Sequence, residues 1–149
     1  MSAPRVLVLA GTAEAAEVAT RLHQRGVPVT ASFAGRTGGM RELPCAVRVG
    51  GFGGVDGLVA ALGDGGYGRL VDATHPFAAR MPHHAAEAAQ RAAVARVRVL
   101  RPPWRPGPGE RWDDGEGLAA AARRLGEVGA RRVLLTVGHR FDPTDLGPV

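Results

Sequence analysis

The chain has 149 residues, enough for one domain with a sizeable buried core. Its net charge is +5 and all 19 basic residues are arginine, but they are scattered, which argues against nucleic-acid binding and favours attraction to an anionic small molecule. No apolar run is long enough to span a membrane, and the single cysteine, Cys45, excludes an internal disulfide. We therefore expect a cytoplasmic protein without a membrane partner.

Strand and helix patterns alternate along the chain. Short apolar, β-branched runs predict buried strands at residues 5–10, 27–34, 46–49, 69–73, 94–100 and 132–137. Runs with small or apolar residues at helical spacing predict helices at residues 13–25, 55–62, 78–93 and 117–127. Pro82 is tolerable in the third helix only within the first turn. Repeated β-α-β units imply an α/β fold, an open parallel sheet with helices on both faces. We expect this domain to occupy residues 1–137, followed by an irregular tail at 138–149.

The turn after the first strand is the first candidate binding segment. It reads AGTAEA, residues 10–15, and places Gly11 and Thr12 between a strand and a helix. Backbone N–H groups at the positive end of that helix suit a phosphate, and the Thr12 hydroxyl can add a donor. In the alternative interpretation Gly11 makes the turn, Thr12 caps the helix and Glu14 complements the helix dipole. The segment is not GxGxxG, so both interpretations stay open.

Two further loops follow the second and third strands. SFAGRT, residues 32–37, has no acidic side chain to bind a ribose 2′-hydroxyl. It offers Ser32, Arg36 and Thr37, which favours NADP over NAD, the alternative being an ordinary solvated loop. GGFGG, residues 50–54, holds four glycines around one phenylalanine. Glycine at this density indicates close approach by a ligand or special φ angles, the alternative being a merely flexible loop.

The segment DATHPFA, residues 72–78, closes the fourth strand. Ligands of open parallel sheets bind beyond the carboxyl ends of the strands, so this segment predicts a site. His75 is a candidate donor to a ligand, although a lone histidine is more often structural, and we expect Phe77 to pack beneath the site. No base is placed beside His75, and the adjacent His83 and His84 do not face one another on a helix. We therefore predict neither a catalytic acid–base pair nor a metal site.

Together these segments resemble the precorrin-6A reductase family of cobalamin biosynthesis. The resemblance rests on AGTAEA, SFAGRT, VGGFGG, DATHPFAARM and LRPPW, in this order and spacing. It runs from about Arg5 to Trp104 and continues weakly through the LLTVG run near Leu134. It implies Rossmann-like lobes, two in the family, and an NADPH-dependent reductase that delivers hydride to a carbon–carbon double bond of a corrin-ring precursor. Hydride chemistry belongs to the cofactor, so we expect no obligatory catalytic acid or base.

The resemblance also implies roles for individual residues. Those expected to bind NADPH are Gly11, Thr12 and Glu14 in the first turn, Ser32, Gly35, Arg36 and Thr37 in the second-strand loop, Gly51 and Phe52 in the glycine loop, and Thr74, His75 and Pro76 beside nicotinamide or substrate. The tetrapyrrole substrate bears many carboxylates, and guanidinium groups can bind carboxylates bidentately. The residues expected to bind it are therefore Arg80, Arg101 and Arg105.

The chain departs from the family pattern in two respects. Ala10 stands where family members usually have the first glycine of the motif. After Val137 we expect the second lobe of the family to be missing or truncated. Hydride transfer needs reactants held in near-attack geometry, so the alternative function is an isolated NADP(H)-binding lobe with little or no turnover. A generic binder of nucleotide sugars or nucleic acid is favoured by fold and charge alone. The oligomeric state stays open.

Overall fold

A computed structural model of the chain describes residues 3–35 and 42–136. In chain order its elements are β1 (Arg5–Leu9), α1 (Ala13–Gln24), β2 (Val29–Phe33), β3 (Ala46–Val49), α2 (Val55–Asp64), β4 (Tyr67–Asp72), α3 (Met81–Arg91), β5 (Ala95–Arg98) and α4 (Leu118–Glu127). Two compact units share these elements. Met1–Pro102 contains β1 to β5 with α1 to α3, and Pro103–Val149 contains α4.

The strands of the first unit form one parallel sheet in the order β3-β2-β1-β4-β5. The central strand β1 pairs on both sides, with Leu9 opposite Ser32 of β2 and opposite Asp72 of β4. The strand order reverses between β1 and β4, because the chain moves outward from β1 to β3 and then returns to begin β4. At such a switch point the loops leaving the two strands diverge and open a crevice. The expected Rossmann-like α/β fold is confirmed.

The core lies on both faces of β1, whose side chains alternate between two apolar clusters. Val6 and Val8 lie on the face covered by α1. Leu7 and Leu9 lie on the opposite face, in a cluster with Leu58 of α2 and with alanines of α3. Because β1 is buried on both faces, the position at which the following turn begins is fixed by the core.

The first five predicted strands and all four predicted helices are present among the described residues, with ends that differ by three residues or fewer. The largest difference is at α3, which begins at Met81 rather than at residue 78. The Ala78 N–H donates instead to the His75 carbonyl over 2.8 Å, in a turn that precedes the helix. Pro82 is then the second residue of α3, within the first turn where proline is tolerated.

The predicted sixth strand at residues 132–137 is wrong over its described part. Residues 132–136 form no strand, and the side chain of Leu134 is 87% exposed. An apolar run becomes a strand only where a neighbouring strand takes up its backbone hydrogen bonds. Val137 and the predicted tail at 138–149 lie outside the described residues, and the domain limit at residue 137 stays a prediction. None of the helices that the structure describes is long and apolar enough to cross a bilayer.

Candidate functional site

Two turns meet at the crevice between β1 and β4. Thr12 follows β1, and its Oγ1 donates a hydrogen bond to the Ala73 carbonyl, which follows β4, over 3.0 Å. The Ala73 N–H in turn donates to the Leu9 carbonyl over 3.1 Å, which extends the pairing of β1 and β4 by one backbone hydrogen bond. The AGTAEA and DATHPFA segments, singled out separately in the sequence, are therefore neighbours.

Thr12 is also the N-cap of α1. Its backbone is extended, and its hydroxyl oxygen accepts a hydrogen bond from the Ala15 N–H over 3.2 Å, so its capping role is confirmed. Gly11 beside it is exposed. A Cβ at Gly11 would lie 4.0 Å from the backbone nitrogen of His75, an ordinary van der Waals distance. The space over Gly11 is thus the part of this turn that a ligand can reach.

Glu14, in the first turn of α1, forms an ion pair with Arg101, which follows β5. The Arg101 Nε lies 2.7 Å from Glu14 Oε1, and its Nη2 donates to Oε2 over 2.8 Å, a bidentate arrangement. The hydrogen bond from Arg101, with a smaller contribution from the backbone N–H of Glu14, lowers the Glu14 pKa to about 2. The structure thus pairs a residue predicted to bind the cofactor with one predicted to bind the substrate. Together they carry no net charge, so the carboxylate does not cancel the attraction of the α1 N-terminus for an anion.

Asp72 ends β4, and its side chain has no exposed surface. Its Oδ1 accepts hydrogen bonds from the Thr74 hydroxyl over 2.7 Å and from the Thr74 N–H over 3.3 Å. Its Oδ2 lies 3.3 Å from Arg96 Nη1 and 3.7 Å from Arg98 Nε, both on β5. A buried carboxylate requires such partners. Asp72 therefore fixes the start of the DATHPFA turn, and its carboxylate accepts the hydrogen bond of the Thr74 hydroxyl.

The next residues, His75, Pro76 and Phe77, are exposed. The Phe77 N–H donates to His75 Nδ1 over 3.3 Å, so a neutral His75 ring carries its proton on Nε2. The Phe77 ring is 91% exposed, with its centroid 5.5 Å from that of His75. The expectation that Phe77 packs beneath the site is wrong. Pro76 lies within the hydrogen-bonded turn from His75 to Ala78, and this turn directs the aromatic ring outward.

The end of β2 lies beside the end of β3. Ser32 is 4% exposed, and its hydroxyl oxygen accepts a hydrogen bond from Arg48 Nη1 over 3.3 Å. Gly35 is exposed, and a Cβ there would meet no atom within 4 Å. Arg36 and Thr37 lie outside the described residues. Cofactor binding by these four residues stays a prediction.

The glycine loop after β3 shows why its sequence is so rich in glycine. Positive φ angles occur at Gly50 (119°), Gly53 (77°) and Gly54 (103°). These values confirm special backbone conformations as one reason for the glycines. Gly51 differs, because it lacks a positive φ and a Cβ there would meet no atom within 4 Å. The Phe52 ring stacks on the Arg48 guanidinium, whose carbon lies 4.0 Å from the ring centroid.

The three arginines predicted to bind substrate have different settings. Arg101 is paired with Glu14, whereas Arg80 is exposed immediately before α3. Arg105 is exposed in the second unit. Within residues 3–35 and 42–136, no group of three histidine, cysteine or acidic side chains is placed to hold a metal ion.

A groove of about 620 Å³ also runs between α1 and residues 42–44. Its walls include the polar side chains Glu17, Arg21 and Gln24 on the outer face of α1. Of the predicted site residues that the structure describes, Glu14 is the one that lines it. We place the candidate site in the crevice instead, where the predicted segments meet.

Two residues at this edge of the sheet were given no individual binding role by the sequence: Asp72, which opens the predicted DATHPFA segment, and Arg48. Both interact with residues on the strand beside them, since Asp72 lies opposite Arg98 and Arg48 lies opposite Ser32 in the parallel registers. The available signal was a charged residue near the carboxyl end of an otherwise largely apolar strand, where the ligands of parallel sheets bind.

Comparison with known proteins identifies the family. Residues 5–142 match the family described as precorrin-6x reductase CbiJ/CobK. This chain belongs to the precorrin-6x reductase family. Its relatives include a precorrin-6A reductase from Sinorhizobium sp, 48% identical over 141 residues, and one from Rhodococcus erythropolis, 43% identical over 137 residues.

The match to the precorrin-6x reductase family covers most of this chain and part of its relatives. The two alignments span 94% and 91% of this chain but 54% and 55% of the relatives, so the chain spans about half the length of the curated relatives it matches. A solved structure described as CobK precorrin-6A reductase is 44% identical, with a TM-score of 0.77. That match covers 84% of this chain and 49% of the other. The resemblance drawn from the sequence motifs is confirmed.

Proposed function

We propose that this chain binds NADPH and acts in the reduction of a carbon–carbon double bond of precorrin-6A, in cobalamin biosynthesis. The observation that carries the proposal is the crevice between β1 and β4, where Gly11 is open beside the His75 backbone and Thr12 joins the two turns. Sheets of this topology bind dinucleotides at this point. The relatives named precorrin-6A reductase supply the substrate of the proposal.

The described residues fit a nicotinamide dinucleotide. Gly11 leaves space that a side chain would fill, as close approach of a pyrophosphate to the backbone requires. The adjacent α1 N-terminus favours an anion, and the Glu14 carboxylate beside it is neutralised by Arg101. No acidic side chain occurs at residues 33–35, which comprise the last residue of β2 and the two residues after it. This absence is consistent with a preference for NADP over NAD.

When bound, NADPH supplies the hydride for the reduction, and the residues of this chain bind and orient. His75 presents an Nε2–H donor, because its Nδ1 already accepts from the Phe77 N–H. Thr74 presents its hydroxyl oxygen as an acceptor, because its proton is directed to Asp72. Arg80 and Arg101 are the cations of the first unit proposed to bind substrate carboxylates, and Arg105 is the one proposed from the second unit.

Titration of the purified chain with NADPH, followed by calorimetry, tests the binding step. The variant Gly11→Ala is expected to fold, because its Cβ has room in the free protein, and to weaken NADPH binding about tenfold or more by filling the ligand's space. Gly63→Ala is the matched control, because a Cβ there meets no atom within 4 Å and Gly63 lies in α2. Unchanged NADPH affinity in Gly11→Ala would contradict the placement of the cofactor over this turn.

A second candidate is NADP(H) binding by this chain with little or no turnover, favoured by its coverage of about half the length of its relatives. Hydride transfer requires near-attack geometry, which the residues of this chain need not enforce by themselves. The assay is NADPH oxidation by the purified chain with and without precorrin-6A. Oxidation that depends on precorrin-6A supports the reductase, tight NADPH binding without oxidation supports the second candidate, and absence of NADPH binding contradicts both.

A further inference from the structure

Arg48 lies near the end of β3, next to the strand end where a dinucleotide-binding sheet contacts the adenosine ribose. It stands opposite Ser32 of β2 in the parallel register. Its position therefore places a cation at the same sheet edge as the crevice, on the side toward β3. The sequence motifs gave this residue no role, because it lies within a strand rather than in one of the polar loops.

The Arg48 guanidinium is held in place from several directions. Its Nη1 donates to the Ser32 hydroxyl over 3.3 Å and to the Gly50 carbonyl, and its Nη2 donates to the Gly51 carbonyl over 2.9 Å. One face of the guanidinium plane stacks on the Phe52 ring. A long, flexible side chain is thus restricted to one orientation before any ligand arrives, which reduces the entropy lost on binding.

The partners of Arg48 are all neutral. In the part of the chain that the structure describes, no carboxylate lies within ion-pair distance of it, whereas Arg98 and Arg101 pair with Asp72 and Glu14. A guanidinium held by neutral acceptors keeps its full charge and prefers an anion with paired oxygens. Residues 33–35 bring no acid to this corner either. The ends of β2 and β3 around Arg48 therefore have a chemistry that suits a phosphate.

We propose that Arg48 determines cofactor specificity by binding the 2′-phosphate of NADPH. This inference rests on the proposed function and assigns to Arg48 a role that the sequence had predicted for Arg36. Ser32 acts through Arg48 as a positioning residue, because its buried hydroxyl accepts from the guanidinium. The carbonyls of Gly50 and Gly51 and the ring of Phe52 also hold the Arg48 guanidinium in position.

The test compares NADPH and NADH binding in the wild type and in Arg48→Gln, by calorimetry on the full chain. Loss of a charge-assisted phosphate contact is expected to weaken NADPH binding about ten- to a hundredfold and to change NADH binding by less than about twofold. Arg69→Gln is the matched control, because Arg69 of β4 lies opposite Val6, toward the other end of the sheet, and donates to the Gly68 carbonyl. It removes the same charge and is expected to leave both affinities unchanged.

Two further variants separate the inference from its alternatives. Arg48→Lys keeps the charge but not the bidentate geometry, and is expected to bind NADPH with intermediate affinity even if Arg48→Gln folds poorly. Equal weakening of NADPH binding and NADH binding in Arg48→Lys would overturn the inference. It would also be overturned if Arg36→Gln lost the preference for NADPH while the Arg48 variants kept it. Either result would leave the proposed function standing. A wild-type chain that binds neither nucleotide would overturn the proposed function, and the inference with it.

Discussion

The ion pair between Glu14 and Arg101 neutralises a carboxylate beside the crevice. Glu14 lies in the first turn of α1, which follows β1, and Arg101 follows β5. The pair therefore joins segments that leave two strands on either side of β4. A bound anion at the α1 N-terminus meets a neutral pair rather than a free carboxylate. For the same reason, Arg101 can bind a substrate carboxylate only with the N–H groups that Glu14 does not use, or by releasing Glu14.

The Glu14 carboxyl is expected to titrate near pH 2 in the folded chain, well below its ordinary value of 4.5, because Arg101 stabilises the ionised form. The pairing therefore adds stability that is complete above pH 4.5 and is lost as the pH falls from 4.5 through about 2. NMR titration of the Glu14 side-chain carbon measures the value directly. In Arg101→Gln the midpoint is expected to rise toward 4.5, and an unchanged midpoint would show that Arg101 is not the cause.

Helix α2 owes its position to the glycine loop that precedes it. The loop ends at Gly54, the N-cap of α2, and the Phe52 backbone carbonyl lies against Gly57 in the first turn. A Cβ at Gly57 would overlap this carbonyl oxygen and carbon, so Gly57 is required by space although glycine is a poor helix former. Gly63, near the other end of α2, has open space and no positive φ.

The two glycines of α2 are expected to respond to alanine with opposite signs. Gly57→Ala should destabilise the chain by about 1–3 kcal/mol, because the Phe52 carbonyl must move to admit the methyl group. Gly63→Ala should stabilise it by about 0.4–1 kcal/mol, since the substitution restricts the unfolded chain without a clash. Urea unfolding of both variants measures the difference. Stabilisation by Gly57→Ala would contradict the packing of the loop against α2.

The sheet as a whole was predictable because its signal is repeated in every strand. The run RVLVL is apolar at consecutive positions, as burial on both faces requires, and β3 was predicted at its observed limits. The run at residues 132–136 carries a similar local signal but forms no strand, because strand formation depends on a partner that local sequence does not specify. Whether residues 132–136 form a strand thus depends on long-range pairing and not on their local strand propensity.

The sequence was sufficient to predict the turns that form the candidate site, but not the side-chain contacts that hold those turns in place. AGTAEA and DATHPFA stand out because glycine, threonine, histidine and proline at strand ends are unusual, and the structure joins them through Thr12 and Ala73. The supporting roles of Asp72 and Arg48 were missed because Arg96, Arg98 and Ser32 contact them from neighbouring strands, and such contacts follow from register. Phe77 was misplaced because the local sequence does not tell on which side of a turn a side chain lies.

Stability is expected to be distributed unevenly over the whole sheet. β1 pairs on both sides and its residues from Val6 to Leu9 are at most 5% exposed, whereas β5 lies at the edge of the sheet as far as the structure describes it, with all four residues exposed. Amides of β1 should exchange with deuterium only through global unfolding, and those of β5 through local opening at much higher rates. Hydrogen-exchange mass spectrometry resolves the two segments. Equal protection of β5 and β1 would contradict this gradient.

The hydrogen bond from Thr12 to Ala73 gives the crevice a property that neither turn has alone. The hydroxyl that donates to the DATHPFA segment also accepts from the first turn of α1. A displacement of either turn therefore strains the other through one shared oxygen. If a molecule bound against one turn changes affinity at the other, linkage requires the change to be equal in both directions. One threonine thus ties together, through a single oxygen atom, two turns that are 61 residues apart in sequence.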